Sequence, residues 1–325
     1  MIHKLAIAMG MLILLTGCGK YEYRDPVGSV KINYSQVASS THKKKTKVKQ
    51  KSASELVKNI PDANTKSPET IAVIIGNKNY SRYNSGIPDV NFAASDAAAV
   101  KQNFIQLLGI LPENIIYLED ATQANMISIF GSEKNYKGKL YNWVKPNVSK
   151  VIVYYSGHGA PSLNKKGAYL VPVDASVSYI SETGYSVDTL YKNLGKIPSV
   201  QNFVILDACF SGDSGGGALF KNVSPALYKT SSHIKNLKKS YLISSTSVGE
   251  LSNWYPKMKH SLFTYYFIKG LQGEADTNKD KDITMLELQN YVQSQVSYRA
   301  RRLNGMEQHP VFVADNKSNV IVYLK

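Results

Sequence analysis

The 325-residue chain has only two cysteines, Cys18 and Cys209, too few for a disulfide framework. It also lacks an apolar run long enough to cross a bilayer. The longest, residues 5–15, is interrupted by Gly10 and falls well short of the roughly 20 residues a span requires. There is no internal repeat, and at 43% hydrophobic and 19% charged residues the composition excludes both wholesale disorder and collagen-like architecture. Acidic residues are scarce: 24 Asp and Glu stand against 39 Lys and Arg, for a net charge of +15. Such an excess raises nucleic acid or an anionic membrane surface as partners. No nucleic-acid recognition motif accompanies it, and much of it lies before residue 70, so no nucleic-acid partner is expected.

The N-terminus is a short basic start at Lys4, the apolar run, and then Leu15-Thr16-Gly17-Cys18. The run fits the hydrophobic region of a secretory signal, although a buried helix would read the same way. Its end resembles the lipobox of bacterial lipoproteins. That resemblance implies a signal peptide over residues 1–18, lipidation of Cys18, and a place in the bacterial cell envelope, anchored to a membrane on the extracytoplasmic side. Each buried methylene of an acyl chain contributes about 0.8 kcal/mol, so several chains on one cysteine hold firmly. Gly19 follows the cysteine and leaves inner and outer membrane equally open. Residues 19–68 are rich in Ser, Thr, Lys, Asn and Gln, with Lys43, Lys44, Lys45, Lys47, Lys49 and Lys51 crowded together. They predict a flexible basic tether, since so polar a segment buries too little surface to offset its ordering entropy.

The pattern changes at residue 69. Short continuous apolar runs at 71–76, 115–118, 151–155, 203–206 and 241–244 suit strands buried on both faces of a parallel sheet. Residues 90–107, 122–145, 186–195, 261–271 and 285–302 carry helical patterns, Leu170–Val173 reads as a short edge piece, and residues 311–313 and 320–323 read as closing strands. Strands alternating with helices predict one α/β domain over 69–325, with a doubly wound, mostly parallel sheet and helices on both faces.

Sites in such sheets lie at the carboxyl ends of the strands. Two predicted strands end in reactive groups: one runs into Ser156-Gly157-His158-Gly159, the other into Asp207-Ala208-Cys209-Phe210-Ser211-Gly212. Alone, a buried cysteine packs as a small hydrophobe and a lone histidine is an ordinary polar residue. At one rim they read as a nucleophile and its general acid/base. A charged imidazole would lower the thiol pKa, and the backbone N–H groups of Gly159 and Cys209 would form an oxyanion hole.

These two motifs resemble those of the caspase-like cysteine peptidases, with metacaspases and bacterial caspase homologues the nearer relatives. The histidine-to-cysteine separation of about 50 residues agrees. The resemblance extends from Ala72-Val73-Ile74-Ile75-Gly76-Asn77 and Ser95-Asp96-Ala97 through Phe263-Thr264, Leu271-Gln272-Gly273, Ala275-Asp276 and Glu287-Leu288. It implies a cysteine endopeptidase with Cys209 and His158 as dyad, a thioester acyl-enzyme, protein or peptide substrates, and no cofactor for the chemistry. Caspases carry Gln two residues before the cysteine and cleave after Asp. This chain has Asp207 there, as metacaspases do, which implies cleavage after Arg or Lys with Asp207, Asp96 and Ser156 lining the first specificity pocket. Buried carboxylates reject acidic side chains and pair with guanidinium or ammonium. Two rival readings share these residues: a catalytically idle scaffold or regulator of the same fold, and a peptide ligase.

Two further segments carry expectations. Residues 276–287 match an EF-hand-like spacing, with Asp276, Asn278, Asp280, Asp282 and Glu287 as calcium ligands. Lys281 occupies the position where Gly normally makes the turn, and Thr284 with Glu287 also reads as a metal-free capping box. Residues 210–239 form a long connection with Gly215-Gly216-Gly217 and Lys221, Lys229, Lys235, Lys238 and Lys239. Connections of this length are uncommon unless functional or disordered, and a basic-specific enzyme would find self-cleavage sites in it.

Overall fold

The computed structural model describes residues 54–83, 86–162, 167–210, 213–214, 217–218, 240–247, 249–314 and 316–325. The predicted signal peptide, Cys18 and most of the tether lie outside the described residues.

Six strands form the central sheet: β1 (Ile71–Gly76), β2 (Ile115–Glu119), β3 (Lys150–Ser156), β4 (Gln201–Asp207), β5 (Ser240–Ser244) and β6 (Val311–Ala314), in the order β6-β5-β4-β3-β1-β2. All neighbours are parallel except β5 and β6. The expected doubly wound α/β sheet is therefore what forms, with one antiparallel edge. β1 is buried at every position, as a strand covered on both faces must be. Alternate residues feed two cores. Ala72, Ile74, Ile152, Tyr154 and Ile205 face helices α2 (Ala93–Leu108), α7 (Leu262–Lys269) and α8 (Met285–Asn304); Val73, Ile75, Val153, Tyr155 and Val204 face α3 (Gln123–Phe130), α4 (Lys139–Trp143) and α6 (Val187–Leu194), which follows the single turn α5 (Ile180–Thr183). Each such aliphatic side chain contributes about 1.5–3 kcal/mol on burial.

Several boundaries differ from expectation. The helical pattern over 122–145 is two short helices, because Gly131 takes φ +82°, a backbone state that ends a helix. Of the 170–173 piece only Leu170 is in a strand, part of a separate antiparallel sheet made of residues 159–161, 168–170 and 185–186. Residues 320–323 pair with residues 282–284 rather than with the main sheet.

The end of the expected tether is also folded. Ser54 caps α1 (Glu55–Lys58), and Leu56 is completely buried. Ala63 bridges Leu324, Asn64 N–H donates to the Tyr323 carbonyl at 2.7 Å, and Lys325 N–H donates to the Asp62 carbonyl at 3.1 Å. Residues 54–68 thus form a strap on the domain. Composition hides this, because a single buried leucine and hydrogen bonds to residues distant in sequence hold it.

The start of α2 is pressed against the end of β1. A Cβ on Gly76 would lie 2.5 Å from the Ala93 carbonyl oxygen and 2.8 Å from the Ala97 Cβ. Glycine and a run of alanines let the helix approach closely, which brings Asp96, in its first turn, to the carboxyl end of the sheet.

Candidate active site

β3 and β4 are adjacent and in register, with Ser156 opposite Asp207. The chain leaves both strands at the same lip, and Gly157 N–H donates to the Asp207 carbonyl at 3.3 Å. The loops carrying His158 and Cys209 then run side by side. A Cβ on Gly159 would sit 2.7 Å from the Phe210 ring and 2.8 Å from the Cys209 carbonyl oxygen, so only glycine permits this contact. Hydrogen bonds from Val171 N–H to the His158 carbonyl (3.0 Å) and from Ser162 N–H to the Gly167 carbonyl (2.9 Å) flank it. By antiparallel alternation, the Gly159 N–H then points off the free edge of its small sheet. Gly159→Ala is expected to destabilise the fold by about 1–3 kcal/mol through overpacking and, by shifting the cysteine loop, to cut kcat/KM about 10²-fold. Thermal melting and peptide kinetics check both, and a fully active variant would remove the glycine's role.

His158 is buried and tightly held. Its N–H donates to the Tyr80 hydroxyl at 3.0 Å, its carbonyl accepts from the Tyr155 hydroxyl at 2.8 Å, and its ring lies 4.7 Å from that of Tyr80. Nε2 is 2.7 Å from the Pro88 carbonyl oxygen. A carbonyl only accepts, so Nε2 carries the proton and the lone pair of a neutral ring is on Nδ1. Burial pushes the imidazole pKa down to about 4, against upward pulls from Pro88 and Asp89. The ring is therefore uncharged at neutral pH, and the preformed imidazolium expected from the sequence is disfavoured in this state.

Cys209 is 4% exposed, with the Ser252 N–H 2.6 Å from its Sγ. It shares a narrow slot with Ser156, Gly157, Asp207 and Asp96 at one side and Val90, Phe92, Ser252, Trp254 and Ser261 around the rest. The structure thus brings Cys209 and the three residues expected in the specificity pocket to one place. Both carboxylates are buried. Asp207 accepts from Ser252 Oγ (3.1 Å), Thr264 Oγ1 (2.7 Å) and Ser261 Oγ. Asp96 accepts from His260 Nδ1 at 2.6 Å and from Ser261 N–H at 3.1 Å. Burial raises the Asp207 pKa, and it raises that of Asp96 to about 6 although the His260 hydrogen bond pulls the other way. The slot encloses about 20 Å³, room for one water and not for a long side chain. Trp254 packs edge-on to Phe92 at 5.5 Å as part of its wall.

The sequence reading missed Pro88, Tyr80, Ser252, Trp254, His260, Ser261 and Thr264. The Pro88 group is a backbone carbonyl and leaves no side-chain signal. The others gain meaning only from neighbours distant in sequence.

Most carboxylates of the 276–287 loop are engaged within it, while Asp276 Oδ1 is buried with no hydrogen-bond partner. Asp276 Oδ2 accepts from Lys281 N–H (3.0 Å), Asp280 Oδ1 from Asp282 N–H (2.9 Å), and Glu287 caps Thr284 N–H (3.0 Å). Lys281 adopts φ +71° in the place usually taken by glycine. Among the described residues no group of three or more His, Cys, Asp or Glu stands placed to hold a metal. The lysines of the 210–239 connection lie outside the described residues. Among the described residues no helix is long and apolar enough to cross a membrane.

Compared with known families, residues 69–321 match the family model described as Caspase domain. No curated protein matches the chain.

Proposed function

The chain belongs to the caspase-domain family and is a cysteine-type peptidase; from that premise we propose that it is an endopeptidase that cleaves after Arg or Lys with Cys209 as nucleophile and His158 as general acid/base. With Nε2 occupied by Pro88, Nδ1 takes the thiol proton as sulfur bonds to the scissile carbonyl carbon. The N–H groups of Gly159 and Cys209 would receive the oxyanion. The tetrahedral species collapses, the C–N bond breaks, and the imidazolium gives its proton to the leaving amine. Water then attacks the thioester, losing a proton to Nδ1, and the thiol returns as the new carboxylate departs.

The observation that carries the specificity is the convergence of Asp96, Asp207 and Ser156 on the slot beside Cys209. Two buried carboxylates favour a cationic side chain and repel an acidic one. The slot is narrow in this state, so a long side chain needs its walls to part. Lipidation of Cys18 and anchoring at the cell envelope complete the reading, supported by the lipobox alone. The test is steady-state cleavage of fluorogenic peptides ending in Arg, Lys or Asp, with and without Ca²⁺. Turnover of Arg and Lys peptides but not Asp peptides is expected; turnover of Asp peptides alone overturns the specificity.

The same groups set the pH profile. Binding a cation needs ionised carboxylates, and Asp96 takes up a proton as pH falls through about 6. The imidazole stays neutral until about 4. For Arg peptides, kcat/KM is expected to fall below about pH 6, with the loss in KM, because kcat/KM reports the free enzyme. An acid limb near 4, or one carried by kcat with KM flat, would contradict this.

A further inference from the structure

We infer that His260 is a positioning residue for the basic-side-chain pocket, holding Asp96 ionised and oriented, and that Ser54 of the N-terminal strap holds His260 in turn. This rests on the pocket reading above and goes beyond it by tying the pocket to the strap.

His260 and Asp96 are each 1% exposed, and neither His260 nor Ser54 lines the slot. The His260 Nδ1–H donates to Asp96 Oδ1, while Nε2 lies 2.5 Å from Ser54 Oγ. Ser54 Oγ also accepts from Leu56 N–H at 3.2 Å, which fixes the hydroxyl where it meets Nε2. Three elements are therefore joined in a chain: the strap serine, the histidine of the antiparallel pair formed by residues 254–255 and 260–261, and the α2 carboxylate. The strap grips the same helix a second time, for Asn103 Nδ2 donates to the Leu56 carbonyl at 3.0 Å, joined there by Gln272 Nε2 at 2.8 Å.

Asp96 needs this partner. Its titratable neighbours are Asp207 on β4, a like charge that pushes its pKa up, and the phenol of Tyr154 on β3, which burial keeps protonated. On α1, Glu55 turns outward to within 3.9 Å of Lys269 on α7. Only His260 among these groups favours the ionised carboxylate. Without His260, Asp96 keeps only the Ser261 N–H, and a buried carboxylate with fewer donors takes up a proton more readily, which weakens one of the pocket's two charges.

Three variants of the full chain test the inference, each measured for Arg-peptide kinetics, pH profile and iodoacetamide labelling of Cys209. His260→Phe keeps the volume and removes the donor. It is expected to raise KM about 10- to 100-fold, the loss of a charge-assisted hydrogen bond, with kcat within about threefold, and to move the acid limb to higher pH. His260→Asn keeps a donor at the Nδ1 position and is expected to restore most of the KM. Ser54→Ala is expected to shift KM and the limb in the same direction by a smaller amount. If His260→Phe does not fold, Ser54→Ala carries the test. Unchanged KM and unchanged limb in the folded variants overturn the inference while leaving the pocket reading intact. Failure of the wild type to cleave Arg peptides at all overturns the pocket reading instead.

Discussion

Cys209→Ala is expected to lower peptide cleavage by at least about 10⁴-fold, the scale seen when a nucleophile is removed from a catalytic unit, with the melting temperature little changed. The small effect on folding follows from the chemistry of the change. Cysteine to alanine removes one sulfur from a 4%-exposed position and adds no polar group to the core. His158→Ala is expected to give a loss of the same order, and the double variant no more than either alone, because the two groups act as a unit. The His158 variant is less stable, since its ring packs on Tyr80 and its Nε2–H meets the Pro88 carbonyl. Kinetics beside calorimetry separate the two effects. Residual activity of a few per cent in Cys209→Ala would mean that another group carries the attack, and the dyad would have to be abandoned.

The second large effect is expected at Asp207. Asparagine there keeps the shape and one acceptor oxygen but removes the charge. The three hydroxyls that donate to the carboxylate, on Ser252, Ser261 and Thr264, can rotate to accept from the new amide, so the fold is retained. An arriving guanidinium then meets a neutral group in a buried slot. Removing one member of a buried, hydrogen-bonded charge pair costs about 2–5 kcal/mol, so kcat/KM on Arg peptides is expected to fall about 10²- to 10³-fold. On peptides with uncharged glutamine at the same position, the loss should be under about tenfold. The ratio between these substrates is the measurement. Equal losses on both would show that Asp207 supports the cysteine loop and does not select the substrate.

The sheet and its rim were legible because their signals are local. An unbroken apolar run such as residues 71–76 has no stable place except between two layers, and the glycine after the third run, Gly157, marked where the chain turns at the lip. The capping box of Thr284 and Glu287, readable from their spacing, forms. What escaped depends on distance along the chain. His260 is an unremarked residue until Asp96, 164 positions earlier, is beside it. The split of the 122–145 pattern was written in Gly131 and Gly138, but the apolar spacing around them masked it. The strap was hidden for another reason: its composition is that of a solvated linker, and it is held by Leu56, by pairing with residues 323–325 and by hydrogen bonds to side chains far along the chain.

That strap also fixes how the domain would respond to force. A pull arriving from the N-terminal side is met first by Ser54 and the single turn of α1, next by the bridge between residues 62–65 and the C-terminal strand, and only afterwards by the six-stranded sheet. The contact that reaches Asp96 is thus the first in the load path, and tension on the chain would slacken substrate selection before it unravelled the catalytic framework.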